Sequence, residues 1–161
     1  MPNAYLETSF FSICVSTRTG EKSVGWRASS LEWWRTNARF FELCISPEVV
    51  RELSSPVFPT DRREAALAML HGLDALEFTD DVAAVADLLV RERVMPAPTV
   101  EGDALHMAFC IAHRVDYLVT WNQKHLANPR KRTHMAVICA RLNVPMPQIV
   151  TPDLLIVEDP S

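Results

Sequence analysis

The stretch GDALHMAFCIAHRVDYLVTWNQKHL, Gly102 to Leu126, decides the fold. Ala104, Met107, Ala108, Ile111 and Ala112 recur at helical spacing, so Asp103 heads an apolar helix and is placed to cap it. Val115 and Asp116 break that pattern. Tyr117-Leu118-Val119-Thr120-Trp121 then reads as a short β-prone run, and Asn122 stands where the strand ends. In an open α/β sheet, ligands bind outside the carboxyl ends of the strands. A helix start beside that edge adds its N–H dipoles. Asp103 and Asn122 therefore belong to one edge.

Outward from this stretch, strands and helices alternate. Ala4-Tyr5-Leu6 reads as a first strand, followed by a helix from Phe10 to Val15. Arg18 to Gly25 is polar with two glycines and reads as a loop. Ser29 or Ser30 caps a helix over Leu31 to Glu42. Leu43-Cys44-Ile45 is a second strand, and Ser46-Pro47 starts a short helix to Leu53. A helix from Asp61 to Leu73 precedes a third strand, Leu76 to Thr79. Asp80 or Asp81 caps the next helix, and Met95 to Val100 is a proline-rich loop. Beyond the central stretch come a helix from Arg130 to Leu142, a strand Gln148-Ile149-Val150 and a helical turn at Thr151-Pro152. This alternation predicts a parallel sheet covered on both faces.

The chain has 161 residues, which suits one domain with a short tail after about residue 153. Hydrophobic residues make up 48% and charged ones 22%, the balance of a soluble globular protein. No apolar run approaches the ~18 residues of a membrane span, and no secretory leader is visible, so a cytoplasmic location is expected. Cys14, Cys44, Cys110 and Cys139 are scattered among apolar residues, which reads as buried free thiols. A net charge of -4 argues against a general nucleic-acid coat, but not against an enzyme that holds nucleic acid through metal ions.

Glu7, Glu52, Asp103 and Asn122 come from distant segments, yet each falls at a strand end or on the helix beside one. A parallel sheet can bring them to one edge, where carboxylates repel one another unless a cation sits among them. Oxygen ligands of this kind suit Mg²⁺ or Mn²⁺, which can activate water against a phosphodiester. Each residue also has a structural reading: Asp103 as a cap, Glu52 as a solvated carboxylate, Asn122 as a turn residue. Thr8, Ser9 and Thr120 adjoin the acids and could orient them or cap turns. His106 lies three residues past Asp103, within helical reach of it. Lys124 and the run Arg130-Lys131-Arg132 are candidates for RNA phosphates, or a solvated helix start. Trp26, Trp33 and Trp34 form an aromatic group that could stack on unpaired bases, or serve as core or an oligomer contact, with at least one of the adjacent pair in the core.

YLETSFFS, ISPEVVREL and the central stretch, in that order, resemble the three signature regions of PIN-domain proteins, in the branch of the VapC-like toxins. The resemblance runs from Tyr5 to about Asp153. It implies a three-layer fold with a central, mainly parallel sheet of about five strands flanked by helices. It also implies a Mg²⁺- or Mn²⁺-dependent endoribonuclease whose acidic pocket maps onto Glu7, Glu52, Asp103 and Asn122, with metal on the first three. RNA as substrate, a small antitoxin as partner and a homodimer follow from the same likeness. Two positions depart from the pattern: Glu7 and Asn122 stand where aspartates are usual. A catalytically degenerate RNA- or protein-binding module is thus the main alternative, and a metal-dependent phosphatase a second.

Overall fold

The computed structural model describes residues 1–99 and 101–158; Val100, the end of the expected proline-rich loop, lies outside them. Five strands form one sheet: β1 (Asn3–Leu6), β2 (Glu42–Ile45), β3 (Asp74–Ala75), β4 (Tyr117–Val119) and β5 (Gln148–Val150). Every pairing is parallel, in the order β3-β2-β1-β4-β5. Tyr5 sits in register with Cys44 on one side and Leu118 on the other. Parallel strands need crossovers, and helices supply them: α1 (Thr8–Cys14), α2 (Glu21–Thr36), α3 (Pro47–Leu53), α4 (Thr60–Ala68), α5 (Asp80–Arg91), α6 (Asp103–Ala112) and α7 (Pro129–Leu142). The expected α/β architecture with about five strands is what the structure shows.

The chain winds from β1 through β2 to β3 in one direction, and its later strands, β4 and β5, lie on the other side of β1. The order therefore reverses between β1 and β4. A crevice opens at the carboxyl ends of strands at such a switch point. Glu7 follows β1 and Thr120 to Asn122 follow β4, so both flank it.

The core runs on both sides of β1, with Tyr5, Phe10, Phe11, Trp33, Phe109 and Leu118 almost wholly enclosed. Helix α6 is buried at every position from Ala104 to Ile111, which explains why it is apolar nearly all round. The four cysteines are free and buried, as their apolar neighbours suggested, and burial pushes the Cys14 and Cys44 thiols up to about 12.

Several boundaries and caps differ from the expectation. Helix α2 begins at Glu21, inside the supposed loop, and ends at Thr36 rather than running to residue 42. Gly20 is extended and starts the helix, while Asn37 ends it and turns its side chain to the backbone N–H of Val157, at 2.8 Å. The third strand pairs at Asp74–Ala75, with only Leu76 N–H continuing the ladder to Ile45 O at 2.8 Å. Thr79, not Asp80 or Asp81, caps α5 by accepting from Val82 N–H at 3.2 Å. Asp103 does not cap α6 either. Gly102 does, at φ 76°, a left-handed conformation that suits glycine, and Asp103 becomes the first helical residue. The segment after Asp153 packs on α2, with Trp33 Nε1 donating to Leu155 O at 2.7 Å.

Candidate metal centre at the carboxyl edge of the sheet

The sharp passage from β1 into α1 builds the first part of the site. Glu7 is the extended residue before α1, and its carboxylate caps that helix by accepting from Ser9 N–H at 2.9 Å. The same oxygen, Oε2, takes the Ser9 hydroxyl and, at 2.9 Å, the Thr120 hydroxyl from the end of β4. Glu7 is nonetheless 5% exposed. A carboxylate this enclosed is tolerated because three donors serve one of its oxygens. Its Oε1 accepts no hydrogen bond among the described residues.

Helix α3 brings the second acid. Ser46 accepts from Glu48 N–H at 3.2 Å and, with Pro47 at the first helical position, sets the helix start. Glu52 then projects one turn on, where Thr8 Oγ1 donates to its Oε1 at 2.6 Å and His106 Nε2 meets the same oxygen. The ring's other nitrogen, Nδ1, lies 2.6 Å from the Tyr5 hydroxyl, which lies 2.7 Å from Ser46 Oγ. The direction of these bonds follows the protonation of His106. With the ring neutral, Ser46 donates to Tyr5, Tyr5 to His106 Nδ1, and His106 Nε2–H to Glu52; with the ring protonated, Nδ1–H donates to Tyr5 and Tyr5 to Ser46. Tyr5 can serve as a donor because burial, with Cys110 nearby, holds its hydroxyl pKa well above the usual value.

The charges in this group reinforce one another. Burial penalises an imidazolium at His106, but the bond to Glu52 and the charges of Glu7, Glu52 and Glu48 outweigh it and raise its pKa above 6.5. Burial likewise opposes ionisation of Glu52, yet His106, Thr8 and Arg51 bring its pKa below 4.5. One ligand atom each from Glu7, Glu52 and His106 lie within 4.8 Å of one another; with both ring nitrogens of His106 engaged, the two carboxylates are the groups open to a cation.

Asp103 and Asn122 form the neighbouring pair. Asn122 Nδ2 donates to Asp103 Oδ1 at 2.9 Å, and Asn122 Oδ1 accepts from His125 N–H at 3.1 Å. The amide is thus engaged at both ends, and Asn122 acts on the site through Asp103. The start of α6 is tied to α3 as well, since Gly102 N–H donates to Glu48 Oε2 at 2.6 Å. A cleft of about 400 Å³ opens over Glu7, Thr8, Ser9, Arg51 and Glu52. A larger depression, about 500 Å³, lies elsewhere, lined by Val85, Leu88, Ile111 and Val144 among others, and holds none of these residues.

The structure thus places Thr8, Ser9 and Thr120 on the carboxylates. It joins His106 to Glu52 and Tyr5, not to Asp103. Sequence reasoning gave no part to Tyr5, Ser46 or Glu48. The Ser46-Pro47 helix start was the available signal, because it fixes which way Glu48 and Glu52 face. Among the basic candidates, Lys124 and Arg130 are exposed, Lys131 borders a separate depression with His125, and Arg132 is bonded to Ile149 O at 2.7 Å.

Solved structures with this architecture are readily found. A toxin–antitoxin complex from Klebsiella pneumoniae contains a chain that matches at a TM-score of 0.58 and 16% identity, over 93% of this chain and 98% of that one. VapBC2 from Rickettsia felis, bound to a DNA fragment from its promoter, matches at 0.55 and 16%, over 92% and 97%. VapC20 from Mycobacterium tuberculosis, a toxin that cleaves the sarcin–ricin loop, matches at 0.55 and 17%, over 78% and 94%. The chain has a VapC-like PIN-domain fold. By sequence alone, no family model matches it and no curated protein is similar to it. At these identities the likeness is one of fold. In this fold Glu7, Glu52 and His106 meet at the crevice between β1 and β4, while the Asp103–Asn122 pair stands outside that group and is linked to it through Asn122 N–H, which donates to Thr120 Oγ1 at 2.9 Å.

Proposed function

We propose that this protein is a Mg²⁺- or Mn²⁺-dependent endoribonuclease and the toxin of a toxin–antitoxin pair. The observation that carries the reading is the convergence of Glu7 and Glu52 with His106 beside the Asp103–Asn122 pair, at the switch point of a parallel sheet. The donor set fits a hard divalent cation. Glu7 Oε1, Glu52 Oε2 and Asp103 Oδ2 accept no hydrogen bond among the described residues, so each acid keeps one oxygen for metal while its other oxygen is held by the protein. A bound divalent ion supplies Lewis-acid polarisation of a phosphodiester and an acidic water to attack it. The chain's own residues do the positioning: Thr120 and Ser9 hold Glu7, Thr8 and His106 hold Glu52, and Asn122 holds Asp103.

RNA phosphates would meet Lys124, Arg130 and Lys131, with Arg132 bracing β5. The solved neighbours support an antitoxin partner, one of them being described as a toxin–antitoxin complex. A homodimer and a cytoplasmic location belong to the same reading. No helix among the described residues is long and apolar enough to cross a membrane.

The test is direct. Mn²⁺ should raise the melting temperature, because only the folded chain assembles the site, and should switch on cleavage of RNA that chelator abolishes. Equal melting temperatures with Mn²⁺ and with chelator, together with no cleavage, would sink the proposal. Asn122 favours a second reading, a non-cleaving RNA- or protein-binding module, since its neutral amide spends both ends inside the protein. That reading predicts RNA or partner binding with no metal-dependent product.

A further inference from the structure

Beside the carboxylates stands an aromatic group that the chemistry above does not use. Trp121 lies between Thr120 and Asn122, and its backbone N–H donates to Ser9 Oγ at 2.9 Å, the hydroxyl that also serves Glu7. Its indole Nε1 donates to Ser30 Oγ at 2.8 Å, and Ser30 in turn donates to Trp26 O at 2.8 Å. These bonds fix Trp121, which is almost wholly buried. Trp26 of α2 lies flat on it, with ring centroids 4.7 Å apart and planes 13° apart. Trp26 is only half-buried, and its own Nε1 has no hydrogen-bond partner among the described residues. The Lys22 ammonium, one helical turn earlier, lies over the Trp26 ring at 4.6 Å from the centroid. Arg27 crosses back to Ser16 O and Arg18 O, which brings its guanidinium to the segment before α2.

We infer that Trp26, backed by Trp121 and flanked by Lys22, is a stacking platform for an unpaired base of single-stranded RNA entering the carboxylate crevice. The inference rests on the nuclease reading and names its substrate class. Three physical points support it. A flat ring held rigid from behind loses little freedom when a base stacks on its front, and every base offers a π-face. A cation already over that ring marks the face as attractive to charge and can swing aside to a phosphate. A chain of net charge -4 needs local devices to hold RNA near carboxylates, and a ring plus a lysine is such a device. A duplex keeps its bases stacked inside and cannot use it.

The experiment measures binding apart from cleavage. A labelled single-stranded RNA octamer, and the same strand in duplex, are titrated in chelator. They are titrated again with Mn²⁺ in the Asp103→Asn background. Trp26→Ala should weaken single-strand binding at least ~5-fold, whereas Trp26→Phe should stay within about 3-fold of the parent. Lys22→Glu, an exposed change on the helix surface, should weaken binding and flatten its salt dependence. Single-strand binding unchanged in folded Trp26→Ala overturns the platform. So does an unchanged salt slope in Lys22→Glu, equal affinity for duplex, or no RNA binding at all. If wild-type protein binds the single strand through Trp26 but never cleaves it, the platform stands and the nuclease reading falls. If Trp26→Ala cleaves with unaltered kcat/KM, the nuclease reading stands and the platform falls.

Discussion

At the scale of single residues, Asp103 separates folding from chemistry. It is the first residue of α6, so its charge favours the helix dipole by only about 0.3–1 kcal/mol. Asp103→Asn keeps an oxygen for Asn122 but removes a full charge from the crevice. Its melting temperature should therefore fall little, while metal-dependent RNA cleavage drops at least ~10²-fold. Asn122→Asp should hold or raise the activity by adding charge where the PIN pattern has an aspartate. Asp103→Asn cleaving as wild type would place the activity elsewhere. The Glu52–His106 pair makes a second prediction, for protein in chelator. His106 has a folded pKa raised above 6.5, so its contribution is full below that value and is lost as pH rises through the folded pKa. Glu52 has a folded pKa below 4.5, so its contribution is present above that value and is lost as pH falls through the folded pKa. The pair stabilises most between these values, and a pH series of melting temperatures should show it. His106→Gln should flatten the alkaline side of that curve; a curve of unchanged shape would refute the assignment.

At the scale of elements, caps decide what periodicity leaves open. Thr79→Ala should cost about 1 kcal/mol through α5 and leave metal binding untouched, as thermal unfolding with and without Mn²⁺ will show. The alternation of strands and helices, the buried α6 and the carboxyl edge were all legible in the sequence, because apolar spacing reports them directly. Helix α2 was not, because its first half is polar and holds Gly25, and what secures it is remote. Trp26 lies on Trp121, and the C-terminal segment packs on Trp33 and Asn37. The acids were legible one at a time from their places at strand ends. Which of them meet was not, since the Tyr5–His106 bond spans 101 residues and Thr8–Glu52 spans 44. Such pairings depend on strand order, which local pattern does not encode.

At the scale of the whole molecule, the middle strand is the first one in the chain. Nothing shorter than most of the sequence can complete the sheet, because β1 needs β2 on one side and β4 on the other. Fragments ending before β4 should therefore lack cooperative unfolding, which circular dichroism will test; a folded fragment of that kind would contradict the topology argument. The same strand order has a temporal meaning. During synthesis Glu7 leaves the ribosome early, but Thr120, the hydroxyl that holds its carboxylate, follows 113 residues later. At ~5–20 residues per second that is a delay of roughly 6–23 seconds. A nascent chain therefore carries the first acid long before the crevice exists. The order of the strands thus delays the assembled crevice until β4 has been made.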